Sequence, residues 1–114
     1  MTAMDQPLGA CIGNWLEVED SIRCLQGEAI DDLMELTYAL AGEMIFLGKQ
    51  AESPEEGRAL ARKSVESGAA FDVLVALVEA QEGDVDTIKD PRRRGSAPVQ
   101  EVIYAAESGY VAAI

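Results

Sequence analysis

Apolar positions recur with helical spacing from Trp15 to Gly83, and only after Val99 does the texture tighten toward that of strands. Trp15, Val18, Ile22 and Leu25 fall on one stripe, with Glu17, Glu19 and Arg23 turned elsewhere, which predicts an amphipathic helix. Pro7 and Gly9 mark a turn before it. Asn14 and Glu17 read as a capping box that starts the helix near Trp15, and Gly27 supplies its stop. From Asp31 to about Gln50 the pattern changes: Leu33, Met34, Leu36, Tyr38, Leu40, Met44, Ile45, Phe46 and Leu47 leave little room for a polar face. This second helix calls for burial on nearly every side, with Asp31 and Asp32 suited to its start and Lys49 to its end. Ser53-Pro54-Glu55-Glu56 is a second capping signature and launches a polar helix that Gly68 closes. Phe71, Leu74, Val75 and Val78 then stand at i, i+3, i+4 and i+7, predicting a fourth helix that ends near Gly83.

Asp84 to Pro98 has the composition of a linker, and Val99 to Ala105 and Tyr110 to Ile114 read as two short strands around Glu107-Ser108-Gly109. The expected fold is therefore mainly α, about four helices followed by a short strand pair. It divides into a helical segment over 1–90, a linker over 91–98 and the start of a β-containing segment over 99–114. A strand that stops on Ile114 leaves ladder groups unpaired, and the first turn runs into its helix with no element in front of it, so both ends read as cut. Composition agrees with helices: apolar residues are 48% of the 114 and aromatics only 5%. At this length there is room for one domain at most, burying roughly two-thirds of its unfolded surface if self-contained.

Charge narrows the possible partners. Twenty-one acidic against nine basic residues give a net charge of −12, which disfavours a nucleic-acid partner. Arg92-Arg93-Arg94 sits among Pro, Gly and Ser without an interleaved aromatic, as a solvated linker does. Cys11 and Cys24 form no C-x-x-C pattern, and no apolar run reaches membrane-spanning length, so a soluble, cytoplasmic chain with free thiols is expected. The chain has no histidine, nucleophile elbow, dinucleotide or Walker-type loop, or zinc spacing. One feature suits an ion: a Pro-Gly turn can present backbone carbonyls that a helix carboxylate such as Asp20 completes for a hard cation, although a plain turn beside an acidic residue has the same pattern.

The string Gln6-Pro7-Leu8-Gly9, then Gly13-Asn14, Leu16-Glu17-Val18, Leu25-x-Gly27 and Asp32-Leu33-x-Glu35-Leu36 resembles the pyrimidine-nucleoside and thymidine phosphorylase family. Ala80-Gln81 with Gly83-Asp84 and Ser108-Gly109-Tyr110-Val111 extend the resemblance to essentially the whole chain. It implies an internal piece of a large α/β domain whose preceding strand lies upstream of the first turn. It also implies a cytoplasmic homodimeric pentosyltransferase that cleaves a pyrimidine nucleoside with inorganic phosphate to base and pentose 1-phosphate. The family's phosphate loop and base-binding residues lie before this segment, so the isolated chain is expected to be inactive. One functional set carries over by resemblance: a site for potassium or another hard cation, formed by the carbonyls of Leu8 and Cys11 and the carboxylate of Asp20, one methylene shorter than the Glu common there. The competing expectation is a stand-alone helical module whose apolar Leu33–Leu47 face docks a partner or a second copy.

Overall fold

The computed structural model describes residues 7–110. Four helices appear where the periodicity places them: α1 over Asn14–Leu25, α2 over Asp31–Leu47, α3 over Pro54–Glu66 and α4 over Ala69–Ala80. A fifth, α5 over Val85–Lys89, and a 3₁₀ turn over Pro91–Arg94 fall inside the stretch expected to be linker. Their cause is local. Asp84 Oδ1 accepts the N–H groups of Asp86 and Thr87, capping a turn that composition alone hides behind Pro, Gly and Arg.

The boundaries follow chemistry that the sequence carries. At α3 the Ser53 hydroxyl accepts the Glu56 N–H at 3.1 Å, Pro54 occupies the first helical position, and Glu56 reaches back to the Glu52 N–H at 2.7 Å. Ser53→Ala is expected to cost about 1 kcal/mol, read as a lower urea midpoint at unchanged m-value. Helix α1 closes as expected, with Gly27 left-handed at φ 95 and the Glu28 N–H returning to the Arg23 carbonyl. Its start is different. Asn14 is already helical and makes no side-chain cap; Gly13 is the N-cap, and Glu17 Oε1 accepts the Gly13 N–H at 3.0 Å. Only the carboxylate half of the expected capping box forms.

Helix α2 packs mainly against α3, which also touches α4, while α1 touches α4. The core is small: Ile22, Cys24, Met34, Tyr38 and Ile88 are its buried apolar residues, and Ile30, Leu33, Ala61 and Val65 pack around the Cys24, Met34 and Tyr38 cluster. The α2–α3 crossing is close enough to exclude side chains at Gly42 and Gly57, both buried. Beyond that contact much apolar surface stays open. Helix α2 was expected to be covered nearly all round, yet Met44 is 72% and Leu47 74% exposed, and Val73 and Leu77 of α4 are exposed as well. The accessible surface is 9246 Å², against about 6,100 Å² for a self-contained monomer of this mass. The radius of gyration, 16.9 Å, likewise exceeds the roughly 13 Å of a compact domain this long.

The expected strand pair does not form among the described residues. Val99 to Ala105 is irregular and exposed, with Ile103 89% and Tyr104 84% open to solvent. Val, Ile and Tyr favour strands, but a strand exists only when a neighbour completes its ladder, and no described segment pairs with it. Tyr110 is not in a strand, and the rest of the second strand, 111–114, lies outside the described residues.

Candidate functional site

The turn that precedes α1 folds back onto two helices. Gly9 adopts φ 80, a conformation that L side chains rarely take, and this lets successive N–H groups face two carboxylates. The Gly9 N–H donates to Asp32 Oδ2 at the start of α2, and the Ala10 N–H donates to Asp20 Oδ2 in α1, each at 3.2 Å. Asp20 is the one buried charged residue among those described, only 3% exposed. One helical turn on, Arg23 Nη2 donates to Asp20 Oδ1 at 3.0 Å, while Nη1 lies 3.7 Å from Glu28. The Cys11 thiol sits beside both Asp20 and Arg23, its pKa pushed up first by partial burial and then by the Asp20 carboxylate.

Cys11 is thus brought beside Asp20, with Leu8 two residues before the Ala10 N–H that bonds the same carboxylate. A hard cation takes several oxygen ligands, usually six to eight for calcium and six for magnesium. Among the described residues neither the Leu8 nor the Cys11 carbonyl accepts a hydrogen bond, so both oxygens are free to serve as ligands. Asp20 is different. One oxygen carries a guanidinium and the other an N–H, so its charge is already compensated and the donor set fits a cation better at its carbonyls than at its carboxylate. No group of three or more His, Cys, Asp or Glu side chains is placed to hold a metal ion among the described residues. Arg23, Asp32 and the Ala10 N–H are the participants that sequence reasoning missed. The i, i+3 spacing of Asp20 and Arg23 was the available signal.

Two open grooves lie elsewhere. One, of about 440 Å³, runs between α2 and α3, where the Arg62 guanidinium lies 4.6 Å over the Tyr38 ring. Cys24 lines it, but burial pushes this thiol up, the opposite of what a nucleophile needs. The other groove, of about 920 Å³, lies between α1 and the 3₁₀ turn, with Arg94 4.7 Å over the Trp15 ring. The arginine run is locally neutralised rather than free: Arg92 pairs with Asp90 at 2.7 Å and Arg93 with Asp86 at 3.7 Å. Neither groove assembles a nucleophile and base among the described residues, and no described helix is long and apolar enough to cross a membrane.

Residues 1–71 match the glycosyl transferase family, a/b domain. Over 108 residues the chain is 41% identical to the pyrimidine-nucleoside phosphorylases of Staphylococcus aureus strains bovine RF122 / ET3-1, USA300 and NCTC 8325 / PS 47. These alignments take in 95% of this chain and 25% of each relative, so the chain spans a quarter of the length of the curated relatives it matches. The family match takes in the first turn, the Asp20–Arg23 pair and all of the α2–α3 crossing, and the chain therefore belongs to the glycosyl transferase family, carrying part of its a/b domain.

Proposed function

We propose that this chain is a segment of a pyrimidine-nucleoside (thymidine) phosphorylase, supplying helical scaffold to a pentosyltransferase that uses inorganic phosphate to release a pyrimidine base from its nucleoside. The observation that carries this is the 41% identity running through 95% of the chain. The exposed faces of α2 and α4 support it: in a protein four times as long they have partners, which also makes a stand-alone interaction module the less favoured explanation. Residues 1–90 then belong to the α/β domain, 91–98 lead out of it, and 99–114 begin a β-containing segment. The stretch from Val99 to Ala105 gains its ladder there from strands outside this chain. The intact enzyme is a cytoplasmic homodimer.

Catalysis of this kind must neutralise charge on the attacking phosphate and on the departing base. The described residues of this chain contain no cluster for either task, so their contribution is positional. Gly9, Ala10, Asp20 and Asp32 fix the first turn on α1 and α2, and that turn is where the upstream part of the domain joins. Potassium or another hard cation would be held there by the carbonyls of Leu8 and Cys11 with oxygens from outside the chain; Asp20, the third expected ligand, is committed to Arg23. Such an ion supplies fixed positive charge near the phosphate-binding part of the enzyme.

The test is phosphate-dependent release of thymine or uracil, followed by chromatography. The 114-residue chain is expected to release none above the uncatalysed background, and the intact gene product to release base only when phosphate is present. Release by the isolated chain, or none by the intact protein, would overturn the assignment.

A further inference from the structure

The resemblance puts a free cation at Asp20, and the structure puts Arg23 there. We propose that Arg23 is a built-in counter-ion for Asp20, taking the place of a hard monovalent cation at the carboxylate, so that this chain fastens its N-terminal turn to α1 without potassium. The proposal rests on the cation-binding interpretation of the Leu8–Cys11 turn given above.

Three observations carry it. First, both oxygens of a carboxylate that is 3% exposed are already engaged: Oδ1 by the Arg23 guanidinium at 3.0 Å, and Oδ2 by the Ala10 N–H at 3.2 Å. A cation arriving at Asp20 would share each oxygen with one of these donors and lie beside another positive charge that already compensates the carboxylate. Second, Arg23 is held from its far side by Glu28, 3.7 Å from Nη1, so the guanidinium bridges two carboxylates. Third, the buried Nε of Arg23 has no hydrogen-bond partner among the described residues. The guanidinium keeps this position although that N–H is unpaired there, which fits its attraction to the two carboxylates.

The competition favours the tethered charge. Arg23 is three residues from Asp20 on the same helix, so its effective concentration at the carboxylate is set by the helix geometry, whereas an ion must be recruited from solution and shed its water. In consequence the ion's structural task, neutralising Asp20 so that the turn can close over it, is done by a side chain. The free carbonyls of Leu8 and Cys11 are then a residual site that lacks its anionic ligand.

The experiment compares thermal melts of the 114-residue chain in potassium chloride and in tetramethylammonium chloride at equal ionic strength, for wild type, Arg23→Lys, Arg23→Met and Arg23→Gln. Wild type and Arg23→Lys, which retain the positive charge, are expected to melt at the same temperature in both salts. Arg23→Met is expected to melt lower in tetramethylammonium and to recover by about 5 °C on saturation with potassium, as a ligand that binds only the folded state requires. Arg23→Gln keeps more of the polar shape and gives the same comparison if the methionine variant does not fold. A potassium-dependent rise in wild type would overturn the counter-ion and leave the cation site standing. No potassium response in any neutral variant would likewise overturn the counter-ion, whereas the phosphorolysis assay tests the enzyme assignment independently.

Discussion

Replacing Gly57 with alanine lowers the melting temperature by about 10 °C, one of two large expected stability losses, because α2 and α3 cross with their backbones in contact. A Cβ at residue 57 would meet the Gly42 carbonyl oxygen, and one at residue 42 would lie 2.7 Å from the Pro54 oxygen and 2.8 Å from the Arg58 nitrogen. These obstacles are main chain, so no rotamer change relieves them and the helices must move apart. Both glycines lie within helices at ordinary φ, where alanine alone would gain about 1 kcal/mol in propensity. Overpacking costs roughly 1–3 kcal/mol even where side chains can yield, and here they cannot, so the steric cost wins. The crossing also brings Ala61 and Val65 of α3 against Met34 and Tyr38 of α2, so separation opens most of the small core. Gly27→Ala is the comparison. Its Cβ would meet nothing within 4 Å, and only the left-handed φ of 95 opposes it, at about 1–2 kcal/mol. If far-UV circular dichroism shows Gly57→Ala melting no lower than Gly27→Ala, the backbone contact is absent.

Neither glycine stood out in the sequence, and the reason separates what was legible from what was not. Ser53-Pro54-Glu55-Glu56 could be read because its partners lie within four residues. Gly27 and Gly68 could be read because left-handed φ is a property of one residue. Gly42 and Gly57 matter only through each other, across a crossing that no spacing rule encodes. The same division explains the errors. Val99 to Ala105 has strand-forming residues, but a ladder needs a neighbour, and no described segment pairs with it. Helix α5 was hidden because Asp84 was weighed as part of a polar linker rather than as a cap. At the candidate site, resemblance selected Leu8, Cys11 and Asp20; the fold sets Cys11 beside Asp20, with Leu8 earlier in the same turn. Arg23 was assigned to the solvent side of α1 because its helix, taken alone, puts it there. Only the turn folding back over Asp20 makes it a partner.

That turn sets the second large loss: Asp20→Ala is expected to cost about 2–4 kcal/mol, more than an exposed ion pair would, because the carboxylate is buried and has two dependents. Removing it leaves the Ala10 N–H without its acceptor and the Arg23 guanidinium without its closest anion. The Arg23 side chain is 37% exposed and keeps Glu28 nearby, so its stranded charge is partly relieved by water and the loss falls below that of a fully buried pair. Asp20→Asn retains an acceptor for Ala10 and is expected to cost about half as much. The double variant Asp20→Ala/Arg23→Met decides what the pair contributes. If the damage in Asp20→Ala is chiefly an unpaired cation, removing that cation as well restores stability, giving a coupling of about 1 kcal/mol or more in urea titrations. Strict additivity, within about 0.3 kcal/mol, would mean that the two side chains do not feel one another. A positive coupling together with a potassium-insensitive wild type would make the ion pair, and not a bound ion, the fastening of the first turn to α1.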